Sequence, residues 1–397
     1  MIKGSDSVKI PFMIGSGYLL LLVIIELLSI LHLNNGLFVY TLDDPYIHLS
    51  LAQHIMRGHY GINTIEYSAP SSTILWPFII APFSAFIYFP FLLNVAASLA
   101  TIFLFTKILN ASFDIKDKRT KNILVTVLLI LLIFASNQVG LIFTGMEHSL
   151  QVLVVSIIVY GLIIVYRNNK VKPWLLIAIV AAPLIRYENL AVSVAACVYL
   201  LLNGYRKKTI IIFLLIVTLV GGFSIFLISM GLNPLPTSVF IKSYFVESGG
   251  SLRSLLSNFA FTLRYRQGII LVIGLILTLI FMLKVQNPGK KKLAFICCLA
   301  LVMHFMAGRY DWFNRYEIYI WTFFLLIIIF LVGSNISGFI EYKYTDLRFI
   351  GVLLFVIIAS VCLSWIYITG LFDIPLASNN IYEQQYQMHR FVREYYR

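Results

Sequence analysis

Uninterrupted apolar runs of about twenty residues recur from Pro11 to Thr369, each long enough to cross the hydrocarbon of a bilayer as a helix. The runs do not alternate apolar with polar residues, which excludes a membrane β-barrel. A helix is then the remaining way to satisfy every backbone N–H and C=O inside lipid. Composition agrees. The 397 residues are 60% hydrophobic and 12% charged, against roughly 45–50% and 25% in soluble domains. Those proportions exclude a soluble globular domain, a disordered chain and a disulfide scaffold. They predict an all-α polytopic membrane protein.

The formal charge is +13, from 30 basic and 17 acidic residues. Basic residues gather in Lys107–Lys121, Arg167–Lys172, Arg206–Lys208, Lys284–Lys292 and Lys343–Arg348. Cytoplasmic loops of membrane proteins carry such an excess. Placing these stretches inside, with Lys3 and Lys9, predicts eleven spans. They cover roughly 11–33, 88–108, 122–140, 148–166, 173–186, 189–205, 209–230, 268–285, 293–308, 316–333 and 348–369. Nineteen of the 30 basic residues then face the cytoplasm with only five of the 17 acidic ones, while outside the two signs balance. The excess charge is an orientation signal and leaves nothing to argue for nucleic acid. The N-terminus is predicted inside and the C-terminus outside. The apolar stretch after Lys9 is about twice the length of a signal-peptide core and lacks a small-x-small cleavage site, so it reads as an uncleaved first span. Cys197, Cys297, Cys298 and Cys362 lie in apolar segments and read as small core residues.

The first external loop, 34–87, contains Leu42-Asp43-Asp44-Pro45. Asp44 as N-cap and Pro45 as first helical residue predict a helix ending near Gly58. Its residues Ile47, Leu51, Ala52, Ile55 and Met56 form one stripe, which predicts a helix laid on the membrane surface. One cap needs one carboxylate, so the pair exceeds the structural need. Segment 73–88 is short and broken by Pro77 and Pro82, and is predicted as a juxtamembrane or re-entrant helix. Further external clusters are Thr144–His148, Arg186–Asn189, Asn233–Thr237 followed by Lys242, and Gly308–Glu317. Charged groups near hydrocarbon are costly and usually functional. Four clusters on one side therefore predict a site. Glu26 reads as a neutral acid facing the bundle, and 370–397 as an aromatic, amphipathic outer tail.

The stretches LDDPYIHLSLAQHIMRGHYGIN, SAPSSTILWP, TGMEHSL, RYENL, NPLPTSVFIKS and GRYDWFNRYEIY follow one another along nearly the whole chain. In that order they resemble polyprenyl-phosphate-sugar-dependent glycosyltransferases of the GT-C fold, in the branch that includes bacterial arabinofuranosyltransferases. That branch usually has Ser-Pro-Leu-Trp where this chain has Pro70-Ser71-Ser72-Thr73-Ile74-Leu75-Trp76. The resemblance implies a GT-C-like bundle of about eleven transmembrane helices over 1–369, with outer juxtamembrane helices in the first loop. It implies the bacterial inner membrane, with the active site facing the periplasm. Relatives with such a tail continue into a small soluble domain, whereas this sequence stops at Arg397.

The implied reaction moves a sugar, with inversion, from a polyprenyl-phosphate donor to an envelope glycan or glycolipid acceptor, at the surface of the membrane lipids. Asp43 is implied as the base, with Asp44 capping its helix and orienting the acceptor. Arg186, Lys242, Arg309 and Arg315 are candidates for the donor phosphate, since a departing phosphate needs positive charge. His48, Glu147, His148, Glu188, Asp311 and Trp312 are candidate substrate-binding residues. Asp43, Asp44, Glu147, His148 and Glu188 would also suit Mg²⁺ or Mn²⁺, and the sequence leaves metal use open. Two other classes are weighed. A transporter or flippase would place its binding residues near the midplane and show repeats, and neither is visible. A polymerase or ligase of envelope polysaccharide would use a long external loop, for which 231–267 is available.

Overall fold

The computed structural model describes residues 6–242, 252–310, 313–339 and 346–396. Among them every regular element is helical: α1 (Asp6–Leu33), α2 (Asp44–Ile55), α3 (Leu75–Ile80), α4 (Phe89–Ser112), α5 (Lys118–Ala135), α6 (Gln138–Phe143), α7 (His148–Asn168), α8 (Pro173–Ile185), α9 (Leu190–Leu202), α10 (Arg206–Ser229), α11 (Thr237–Lys242), α12 (Leu252–Thr262), α13 (Arg266–Lys284), α14 (Pro288–Ala307), α15 (Ile318–Phe339), α16 (Leu347–Ile381) and α17 (Gln387–Tyr395). Among the described residues six stretches are long and apolar enough to cross a membrane, in α1, α4, α7, α10, α13 and from Phe349 onward. Pro173–Ile185, Tyr187–Leu202 and Ile318–Gly333 are apolar over shorter lengths. The chain is a helical membrane protein. Its outer face says the same: α10 buries Ile212, Ile216, Phe223 and Leu227 on one stripe while Ile210, Phe213, Leu214 and Val217 are exposed. In water that surface would be a liability; in lipid it is the solvated side.

Local chemistry sets the helix ends. Asp117 opens α5 by accepting from Thr120 N at 2.7 Å, and Asn287 opens α14 by accepting from Lys290 N at 3.0 Å, with Pro288 first in the helix. Asn169, at φ 48, ends α7 in the left-handed region that asparagine tolerates.

The basic stretches meet at one end of the bundle. Arg167 donates to the carbonyl of Ala111, and Tyr205 Oη donates to Asn169 O at 2.6 Å. Lys292 Nζ reaches Leu202 O at 2.8 Å, and Lys290 Nζ reaches Leu331 O at 3.3 Å. Arg167, Lys290 and Lys292, from two of the basic stretches, thus bond to helix ends that adjoin the others. The 21 residues of α7 separate that end from His148 by about 30 Å at 1.5 Å per residue, the thickness of the hydrocarbon core.

Several expectations change. Range 122–140 is not one helix: Asn137, at φ 49, divides α5 from α6. Helix α16 does not stop near 369 but runs to Ile381 through Pro375. Its continuation is tied down, since Asn34 Nδ2 donates to Ser378 Oγ at 2.9 Å and Ser378 Oγ donates to Val39 O at 2.6 Å. Segment 73–88 forms α3 and a 3₁₀ turn, Ala81–Phe83, packed on α2. The buried face of α2 is Pro45, His48, Leu49, Leu51 and Ala52, with Met56 exposed. Helix α2 therefore rests on protein, against Trp76 and Ile80. Cys197, Cys297 and Cys298 are buried, whereas Cys362 is exposed. Glu26 is buried in α1.

Candidate functional site

Opposite the basic end, the segment after α1 carries Asp43 and Asp44 into position. Thr41 N donates to Phe143 O at 3.2 Å, Tyr40 N donates to Tyr46 Oη at 3.1 Å, and Tyr40 Oη donates to Ile87 O at 2.6 Å. Gly145 completes this corner. Its φ is +63, and a Cβ there would come within 2.6 Å of the Tyr40 ring and 2.9 Å of Pro45, so the turn before α7 closes on the aspartate segment only with glycine.

The two aspartates differ in their surroundings. Asp43, rather than Asp44, occupies the N-cap position of α2, and its side chain makes no cap. Asp44, expected as the cap, is instead the first residue of the helix and forms a bond across the fold. Its Oδ2 accepts from Arg315 Nη2 at 2.6 Å, across 271 residues of sequence. Arg315 is 1% exposed, and among the described residues its Nε and Nη1 have no acceptor. A buried guanidinium with two N–H sites unused is arranged for a further anionic oxygen. Asp43 is exposed and lines a cavity of about 870 Å³ with Asn137, Asn314, Tyr367 and Asp373.

A second ion group adjoins the first. Arg186, 1% exposed, donates from Nη1 to Glu147 Oε1 at 2.5 Å and from Nη2 to Glu188 Oε1 at 2.8 Å. Burial alone would lower its pKa; the Glu188 and Glu147 carboxylates outweigh this and hold it raised. The Tyr316 ring joins the two groups, its centroid 5.6 Å from Arg186 Cζ and 5.1 Å from Arg315 Cζ, both within cation–π reach. His148 is fully buried, with its ring centroid 6.4 Å from that of Tyr316.

The chain before Arg315 is strained. Phe313 and Asn314 both have positive φ, 65° and 51°, and for a bulky residue such as Phe313 that region is a true outlier. Consecutive left-handed residues cost about 1–3 kcal/mol each and persist where the surroundings dictate them, often at functional sites. Here they precede the buried Arg315.

Comparison with protein-family models, with curated proteins and with solved structures finds no match to this chain. The chemistry of the site therefore follows from its own geometry. Asp44, Glu147, Arg186, Glu188, His148 and Arg315 come together. Arg309 lies on a smaller cavity of about 290 Å³ with Tyr316, Glu188 and Ser72. His48 is on the buried side of α2. Lys242 ends α11, and its side chain, like Asp311 and Trp312, lies outside the described residues. Glu147, expected to touch substrate, is fully buried against Arg186. Arg186, expected on the phosphate, is closed on two carboxylates, which leaves Arg315 and Arg309 as the better-placed cations among the described residues. Of the five side chains suited to Mg²⁺ or Mn²⁺, four share this region, but among the described residues no three His, Cys, Asp or Glu side chains form a metal-holding group. Sequence reasoning missed Tyr316 as the link and Asp373 in the cavity. A signal existed for Asp373, because Gly370, Asp373, Asn380 and Gln384 follow helical spacing where the apolar run fades.

Proposed function

We propose that this chain is an integral-membrane glycosyltransferase of the GT-C kind. It would move a sugar from a polyprenyl-phosphate donor to an envelope glycan or glycolipid on the external side. The observation that carries this reading is the division of labour in the aspartate pair. Asp44 is held by a buried arginine with two N–H sites in reserve, while Asp43 stands exposed on the wall of a cavity. An acceptor hydroxyl in the cavity gives its proton to the Asp43 carboxylate as its oxygen attacks the anomeric carbon. The bond from that carbon to the donor phosphate breaks, and the phosphate departs with the electron pair towards Arg315 and Arg309. Attack opposite to departure inverts the centre. A phosphate is a good leaving group, so no second acid is needed. The test is direct: the purified protein, given lipid-linked sugars and envelope glycans, releases polyprenyl phosphate and lengthens the glycan by mass spectrometry. A protein that only carries the lipid-linked sugar across vesicles overturns the reading.

The finer topology belongs to the same proposal. Eleven spans, with the basic end in the cytoplasm of a bacterium, are supported by the gathering of basic residues at one set of helix termini. Reporter fusions at Lys118, Lys207 and Lys291 are expected to read as cytoplasmic, and fusions at Asn63 and at the C-terminus as external. An external signal at Lys118 breaks the arrangement.

Arg315→Lys keeps the charge but loses the planar fork that grips phosphate oxygens in pairs. A clear fall in donor-dependent turnover at unchanged thermal stability is expected. Equal activity with lower stability would make Arg315 a structural partner of Asp44 and pass the phosphate role to Arg309 or Lys242.

A further inference from the structure

The cavity beside Asp43 has a chemistry of its own. Carboxamides line it from three directions: Asn137 at the break between α5 and α6, Asn314 before α15, and Asn380, Gln384 and Gln385 on and after α16. Each carboxamide offers both donors and an acceptor, which is what adjacent sugar hydroxyls pair with. Asp43 and Asp373 add acceptors, and no lysine or arginine is among the described residues that line the cavity. A phosphate or a uronic acid would find two carboxylates here and no counter-charge. The volume of about 870 Å³ falls in the range of about 300–1,000 Å³ that small-molecule sites occupy.

The wall is built rather than incidental. Ile366, Gly370, Asp373, Ala377 and Asn380 share one face of α16. Beyond Ile381 the chain takes a π turn over Tyr382–Tyr386, a local widening that occurs mostly at functional positions. The turn lets the consecutive residues Gln384 and Gln385 both line the cavity. Tyr382 in that turn accepts from Asn35 Nδ2 at 3.3 Å, which fixes the wall to the chain that leads to Asp43. Gly370 keeps the space open: a Cβ there would meet nothing within 4 Å.

We propose that this cavity binds a neutral glycan, and that Asp373 is the specificity residue that turns anionic sugars away. Resting on the reading of Asp43 as base, the bound glycan is the acceptor, separate from the donor phosphate at Arg315 and Arg309. The probes are neutral hexose and pentose oligosaccharides and their uronic-acid counterparts, offered to the full chain in nanodiscs and followed by saturation-transfer NMR. Neutral oligosaccharides are expected to bind and uronic acids to be rejected at least tenfold. Gly370→Phe fills the open space and improves on glycine in a helix, so binding is expected to vanish without loss of thermal stability. Asp373→Asn is expected to narrow the discrimination against uronic acids to less than threefold. The assignment is overturned if the native protein binds no neutral oligosaccharide, or if Gly370→Phe binds like the native chain. Unchanged discrimination in Asp373→Asn removes Asp373 from the role. Binding without any transfer sinks the transferase reading and leaves the glycan site standing. Full transfer by Gly370→Phe does the reverse.

Discussion

Asp43→Asn is expected to lower turnover by ~10²–10⁴-fold, the usual contribution of a positioned general base. Asparagine keeps the size and hydrogen bonding of aspartate but takes no proton. Asp43 is exposed, makes no cap and borders an open cavity, so the fold has nothing to lose. Thermal unfolding should be unchanged, and oligosaccharide binding retained. Near-normal turnover by the purified variant would remove Asp43 as base. Asp44, the alternative, is already engaged by Arg315, and Asp44→Asn should instead weaken use of the donor by loosening that arginine.

The second large effect concerns stability. Arg186→Met leaves Glu147 fully buried with its closest cation gone. Removing one partner of a buried ion pair costs about 3–5 kcal/mol, because the other charge is stranded. Unfolding in mixed micelles should show a loss of that size. Adding Glu147→Leu to the variant should recover part of it, since an apolar pair of similar volume carries no stranded charge. Glu188, 24% exposed, keeps water and should cost no more than about 1 kcal/mol when changed to glutamine. A single variant Arg186→Met as stable as the native chain would show that this ion pair adds nothing net to the fold.

Each predicted apolar range overlaps a helix because lipid leaves the backbone little choice, so hydropathy carries nearly all of that information. The aspartate pair stood out in the sequence by its surplus over what one cap requires. Its division did not. Asp44 finds Arg315 across 271 residues, and nothing local to either residue announces such a pairing. The cavity wall was misread for a related reason. Hydropathy fades after Gly370, and Pro375 removes a helical hydrogen-bond donor, so the sequence alone favours an end to the helix. The helix continues because Ser378 and Tyr382 are bonded to the chain after α1, and such tertiary bonds override local preference. Asn137 escaped notice differently, as the middle of the short polar step Ser136-Asn137-Gln138 in an apolar run, where its left-handed backbone divides two helices.

Helix α16 has 35 residues, about 52 Å at 1.5 Å per residue, well beyond the ~30 Å that hydrocarbon occupies. One rigid rod therefore lies partly in lipid and partly beside Asp43. Helices meet a change in membrane thickness by tilting, and this one is held beyond the hydrocarbon at Ser378 and Tyr382 and along its embedded half by packing on α1 and α5. A thicker or thinner bilayer would tilt α16 together with α1 and α5 and load its bonds at Ser378 and Tyr382, beside the cavity that Asp43 shares with Gly370 and Asp373. Acyl-chain length, with no chemical contact to the cavity at all, would then act as an adjustable setting on the width of its mouth.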